Sequence, residues 1–159
     1  MEISLEKFEQ VKTEAEAFYK LIGEVLCPYF KENVSFNTKG LEHLKFSEKN
    51  KARVVADQYT RLRLLPLASK VLKMSHTLQD FYETRKFEKQ NINSQWQHRM
   101  VKVCYYGFVA IINNVRVKII VKQIEGGNKY FWSLIPFWKL RPGDFGNKKI
   151  LHAGDMEND

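Results

Sequence analysis

Ser133 stands in the run YFWSLI, and the preceding run VRVKIIVKQI carries Arg116, Lys118 and Lys122 at alternating positions. A hydroxyl flanked by two ammonium groups, with Tyr105 and Phe131 beside them, suits a phosphate backbone and a stacked base. A second set is Arg53, Asp57 and Arg61, spaced to share one face of a predicted helix. There one arginine can turn inward toward a phosphate and be held by Asp57. The third candidate is His43, between Leu41 and Leu44 in a short predicted helix. Histidine titrates near neutrality and can take or give a proton. Each set also has a plainer reading: a solvated strand face, an ion-pair ladder worth about 0.3–0.5 kcal/mol per pair, and a structural histidine.

The strands that would position the first set are read from their turns. Residues 100–138 contain three runs rich in Val, Ile, Tyr, Phe and Trp, separated by Asn113-Asn114 and by Glu125-Gly126-Gly127-Asn128. Asn and Gly tolerate positive φ, so both separators predict hairpins and the whole predicts a three-stranded antiparallel meander. Pairing Ile112 with Val115 sets Lys118 opposite Val109 and Lys122 opposite Tyr105. Pairing Glu125 with Asn128 sets Lys122 opposite Phe131 and Ile120 opposite Ser133. By alternation, one face carries Cys104, Tyr106, Phe108, Ala110, Val117, Ile119, Val121, Trp132 and Leu134, and should bury against helices. The other carries Tyr105, Gly107, Arg116, Lys118, Lys122, Phe131 and Ser133. A slip of one residue would exchange the faces.

Around this meander the apolar spacing predicts one amphipathic helix over residues 5–26, capped by Ser4 and ended by Pro28. Val34–Asn37 reads as a short strand, leading into the helix that carries His43, with Asn37 or Thr38 as its cap. Ser47 is a candidate cap for a helix from Glu48 to Leu65, with Val54, Val55, Tyr59 and Leu62 as its buried stripe. Pro66 breaks or restarts that helix, and residues 67–74 continue it. Residues 75–99 are polar and basic and read as an irregular connection. The domains expected are an acidic N-terminal helix (1–32), a basic α+β domain (33–140) and a flexible tail (141–159).

The 159-residue chain has a net charge of +8, distributed unevenly. Residues 1–32 hold four lysines and seven glutamates, whereas residues 33–152 hold 22 Lys or Arg and eight acids, a net of +14. A basic body of this kind suggests a polyanionic partner. Cys27 and Cys104 have neither metal nor redox spacing, and a reducing compartment fits them. The charged first residues do not read as a signal peptide, and no run approaches the roughly 18 apolar residues of a membrane span. The expectation is a cytoplasmic protein without membrane contact, cofactor or metal. Walker, GxGxxG, zinc and GxSxG patterns are absent, and the scattered acids do not suggest a two-metal nuclease. Any catalysis would rest on His, Arg, Lys, Tyr and Ser.

Helices followed by a meander, with this inventory, resemble the barnase–EndoU–colicin–RelE (BECR) superfamily of metal-independent ribonucleases, in its phage and mobile-element branches. The stretches that carry the resemblance are VSFNTKGLEHL (34–44), QYTRLRLLPLASKVL (58–72), VRVKIIVKQI and KYFWSLIPFW. It implies that His43, Arg61 and Ser133 line one cleft, with Lys118 or Lys122 on the neighbouring strand. It implies RNA cleavage by the adjacent 2′-hydroxyl, leaving a 2′,3′-cyclic phosphate, with tRNA as a candidate target. It further implies a toxin-like role and a cognate antitoxin or immunity protein. The family's acidic general base has no counterpart here, because Glu42 is expected to point away from His43 and Glu125 lies in a turn.

The expectation is therefore an α+β fold with N-terminal helices packed on one face of an antiparallel meander. Its catalytic candidates are His43, Arg61, Ser133 and Lys122, and its nucleic-acid-binding candidates are Lys118, Arg116, Tyr105, Phe131 and Arg53. Two other classes use the same features. A non-catalytic RNA-binding module needs the basic face but not His43. A protein-interaction domain would dock through the acidic first helix and the aromatic strand 130–138.

Overall fold

The structure, a computed structural model, describes residues 2–47, 51–136 and 155–159. Three helices and six strands follow in the order α1 (Leu5–Ile22), β1 (Glu24–Cys27), β2 (Glu32–Ser35), α2 (Thr38–Lys45), α3 (Val55–Met74), β3 (Asp80–Ile92), β4 (Gln95–Ile112), β5 (Val115–Ile124) and β6 (Tyr130–Ile135). The sheet order is β1-β2-β6-β5-β4-β3. All neighbours are antiparallel except β2 and β6, which meet in parallel at Ser35 and Tyr130. The α+β class and the packing of helices on the sheet are as the sequence predicts.

The N-terminal helix is shorter than its apolar period suggested. Ser4 accepts from the Lys7 amide at 3.3 Å, and the helix closes at Gly23, whose φ of 61° lies where a side chain is disfavoured. Residues 24–27 then turn Val25 and Cys27 inward as a strand, because residues two apart share a face in β structure much as residues three or four apart do in a helix. The acidic helix is not a separate unit. Its Phe8, Ala15 and Tyr19 belong to the same core as Leu62, Leu65 and Leu72 of α3 and Phe108, Ile119, Phe131 and Leu134 of the sheet. Burying each such large apolar side chain contributes about 1.5–3 kcal/mol.

Asn37 caps α2, its Oδ1 accepting from the amides of Lys39 and Gly40 at 3.1 and 3.3 Å. The helix then lies so close to β6 that a Cβ on Gly40 would stand 2.3 Å from the Phe131 carbonyl oxygen. The next helix starts at Val55 rather than Glu48 and runs through Pro66 without interruption. Val54 and Val55 are exposed, so the buried stripe is formed by Leu62, Leu65, Ala68 and Leu72 instead. Ser47, the expected cap, instead donates its hydroxyl to Lys51 O at 3.1 Å, and Glu48, the expected start, lies outside the described residues.

Residues 80–99, read as an irregular connection, form the largest departure from expectation: with residues 100–112, read as a strand, they build one structure. They are a long hairpin of β3 and β4, closed by Asn93 and Ser94 with φ of 52° and 65°. Its distal half carries Phe87, Trp96 and Met100 facing solvent. The half-buried alternation that identifies a strand is therefore missing from its sequence. The next turn follows the predicted register, with positive φ at Asn113 and Asn114, Ile112 opposite Val115 and Lys122 opposite Tyr105.

The last turn does not follow it. Lys122 pairs with Tyr130 and Val121 with Phe131, and the register then shifts so that Ile120 pairs with Ser133. This bulge leaves Trp132 as the extra residue. Phe131 consequently faces the helices, stacked on Phe36 with ring centroids 5.0 Å apart, while Trp132 faces the opposite side. The expected positions of these two aromatics are exchanged. A second, smaller cluster on that opposite side joins Val101, Val103, Tyr105, Ile120 and Ile135 to Met156 of the C-terminal segment.

Candidate active site

The edge of β6 facing α2 and α3 pairs with β2 only at Tyr130, so its later carbonyls need other donors. Arg61 supplies one. From the middle of α3 its Nη1 donates to Leu134 O at 2.9 Å and to Ser133 Oγ at 3.2 Å. Its Nε donates to Asp57 Oδ1 at 2.8 Å, one turn back on the helix. Asp57 Oδ2 also lies 3.6 Å from Arg53 Nη1. The i, i+4, i+8 set is thus a buried pair of arginines sharing one carboxylate. Arg53 itself lies just before the helix.

Arg53 ties this pair to the histidine. Its Nε donates to His43 O at 3.0 Å, and its Nη2 lies 3.3 Å from His43 Nε2. The imidazole stacks on Trp132 with centroids 4.1 Å apart and planes 18° from parallel. Only 5% of His43 is exposed. Burial, followed by the charges of Arg53 and Arg61, lowers its pKa to about 3, so the ring is neutral at physiological pH. A guanidinium has no acceptor, and the neutral ring offers the lone pair that Arg53 needs.

Lys122 completes the group, its Nζ 4.1 Å from the Trp132 ring centroid and 5.5 Å from that of Tyr105. The indole that the bulge brings to this side is therefore engaged by an imidazole and by an ammonium.

The C-terminal segment closes over these groups. The main-chain oxygen of Asp159 accepts from Ser133 Oγ at 2.8 Å, Arg61 Nη1 at 3.1 Å and Arg53 Nη2 at 3.3 Å. His43 also hydrogen-bonds the Asp159 backbone. Arg53 Nη2 reaches Asn158 O at 3.2 Å, Trp132 Nε1 donates to Glu157 O at 3.0 Å, and Lys86 pairs with the Glu157 carboxylate. Residues 155–159, read as flexible, are pinned at this point. Residues 137–154 lie outside the described residues.

Beside the closed cluster opens a cleft of about 380 Å³, with His43, Lys122, Tyr130 and Trp132 on one side and Lys39, Glu42 and Glu88 around it. Glu42 was expected to face away from His43, but it shares this cleft and pairs with Lys45 at 3.5 Å. Glu88, on β3, carries no sequence signal that marks it as a site residue. The Tyr130 hydroxyl is buried and has no hydrogen-bond partner among the described residues. Burial and the charge of Glu88 raise its pKa. Among the described residues, no three His, Cys, Asp or Glu side chains gather as a metal ion would need.

His43, Arg61, Ser133 and Lys122 are thus brought together, with Arg53 among them. Of the other binding candidates, Tyr105 lies beneath Lys122 and Trp132, and the rest do not join the group. Lys118 is wholly buried and crosses Gly107 to pair with Asp80 Oδ2 at 2.6 Å. A Cβ at Gly107 would stand 2.7 Å from Lys118 Cε, so a larger residue there would force the lysine's end to shift. Tyr105 is a buried floor residue and Phe131 a core residue, so neither ring has a free face for a base. Arg116 is six positions from Lys122 along β5, about 20 Å away at a strand's rise per residue. No helix among the described residues is long and apolar enough to cross a membrane.

No family model, curated protein or solved structure matches this chain.

Proposed function

We propose that the chain is a metal-independent endoribonuclease, cutting RNA by attack of the neighbouring 2′-hydroxyl and leaving a 2′,3′-cyclic phosphate. The observation that supports this reading is the convergence of Arg53, Arg61, Ser133 and His43 on the single main-chain oxygen of Asp159. Two guanidiniums, a hydroxyl and an imidazole around one oxygen form a receptor for a phosphoryl oxygen, and the C-terminal segment stands where the scissile phosphate would sit. Likeness to BECR ribonucleases agrees with the same residues. Toxin-like action, tRNA as target and a cognate antitoxin belong to this proposal on that likeness alone.

In this mechanism Asp159 withdraws and a phosphodiester takes its place. Neutral His43 gives up its Nε2 contact with Arg53 and accepts the 2′-proton on that nitrogen, the 2′-oxygen bonds to phosphorus, and the P–O5′ bond breaks. The 5′-oxygen leaves toward the open cleft, where solvent and Lys122 Nζ can protonate it. Arg53 and Arg61 oppose an imidazolium in the resting protein. The negative phosphoryl group offsets them, so His43 gains its proton only alongside the charge developing on phosphorus. Ser133 and the arginines hydrogen-bond that charge.

A non-catalytic RNA-binding module is the second reading. The near-complete burial of His43 and Ser133 beneath the chain's own segment favours it. The two separate by product chemistry. A 5′-labelled single-stranded RNA incubated in EDTA should yield fragments ending in cyclic phosphate, and a 2′-deoxy substitution at the cut position should abolish that cut. Intact RNA, or cutting that survives the deoxy substitution, would refute the proposed reaction.

A further inference from the structure

We propose that the outward face of the β3–β4 ribbon is a binding surface for single-stranded RNA, the substrate class of the reading above, on which the choice of RNA rests. Cross-strand pairing sets Arg85 opposite Lys102, Phe87 opposite Met100 and Lys89 opposite His98, with Trp96 next along the same face. Phe87 is 69% exposed, Trp96 65% and Met100 49%. Arg85, Lys89, His98 and Lys102 are exposed as well.

Two features of this face call for an external partner. Like charges directly opposite one another weaken a strand pair, and Arg85 with Lys102 is such a pair. The ribbon's one carboxylate on this face, Glu83, stands 3.7 Å from Lys102 and offsets a single charge. Aromatic rings in water also lose free energy that stacking would recover. Lys89 Nζ lies 5.2 Å from the Trp96 ring centroid, so ring and cation already sit side by side. A single strand of RNA offers both complements at once: phosphates for Arg85, Lys89 and Lys102, and base faces for Phe87 and Trp96. At 13 residues, β3 is about 40 Å long, enough for several nucleotides. Its reverse face carries Glu88 into the cleft beside His43, and β3 is the edge strand of the sheet, so a strand held on the outward face would reach the candidate site by passing around that edge.

The test reads binding apart from cleavage. A fluorescein-labelled single-stranded 2′-O-methyl oligonucleotide cannot be cut by the proposed route, and its anisotropy gives Kd across a salt series. The Arg85→Ser/Lys102→Ser variant should weaken binding about tenfold or more and reduce the slope of log K against log salt by about one to two. The Phe87→Ser/Trp96→Ser variant should weaken binding about tenfold or more with the slope unchanged. All four side chains are exposed, so thermal melts should match wild type. Wild-type affinity in both folded variants would overturn the proposal and leave this face as a protein contact, as would absence of binding by the wild type. Binding that maps to the ribbon in a protein that cuts no RNA would uphold this surface while refuting the nuclease.

Discussion

Arg61 on α3 and Ser133 on β6, 72 residues apart in sequence, are joined by a buried hydrogen bond of 3.2 Å. The same guanidinium nitrogen caps the Leu134 carbonyl on the open edge of β6 and reaches the Asp159 oxygen. One side chain therefore both seals the sheet edge and supplies a donor to the proposed anion receptor. Arg61→Ala would leave Asp57 with its remaining charge partner 3.6 Å away and a strand carbonyl without its donor. A loss of about 3–5 kcal/mol in urea unfolding is expected. Arg61→Lys keeps the charge but not the fork and should fall between the two. A loss below about 1 kcal/mol for Arg61→Ala would show that the contact does not hold the edge.

Gly40→Ala tests the approach of α2 to β6, which fixes His43 against Trp132. The new Cβ would meet a backbone oxygen at 2.3 Å and the Tyr19 hydroxyl at 2.7 Å, so the helix must shift. A destabilisation of about 1–3 kcal/mol is expected. The exposed neighbour Lys39→Ala should change stability by less than about 0.5 kcal/mol. Equal urea midpoints for the two variants would contradict the packing described.

Much of this arrangement was legible from local chemistry, and the exceptions have physical causes. Asn113 and Asn114 set the β4–β5 register, and Asn37 set the start of α2, because turn and cap preferences are local. The exchange of Phe131 and Trp132 depends on a bulge, which neither residue type announces. The ribbon stayed hidden because its distal apolar residues face solvent and no buried period marks it. The joining of Arg53 to His43 was likewise invisible. It is made by the path of the chain between α2 and α3, not by helical spacing.

Stability should carry a pH signature of His43. Its pKa is about 3 when folded against an ordinary value near 6.5, so the unfolded chain binds the proton more readily. Stability is then full above about pH 6.5 and falls as pH drops toward 3, by up to about 1.4 kcal/mol per pH unit. His43→Gln removes this contribution. Between pH 7 and 5 the wild-type urea midpoint should fall more steeply than that of His43→Gln. Parallel slopes would mean that His43 is not held neutral.

The C-terminal segment should compete with anionic ligands. Deleting residues 155–159 uncovers the donors of Arg53, Arg61 and Ser133. It also removes Met156 from the smaller apolar cluster, so some loss of stability is expected. A 2′-O-methyl dinucleotide should bind the shortened protein several-fold more tightly than the full chain in a calorimetric titration. Unchanged affinity in a folded deletion variant would show that Asp159 does not occupy a ligand position.

The most direct measurement is single-turnover RNA cleavage in EDTA by wild type and His43→Gln, with Ser133→Ala and Arg53→Ala alongside and folding checked by circular dichroism. The account predicts cleavage to a cyclic phosphate by the wild type, reduced about 10²–10⁴-fold in folded His43→Gln. The two donor variants should be reduced as well. A folded His43→Gln protein that cuts as fast as wild type would contradict the central claim that this cluster processes the phosphate.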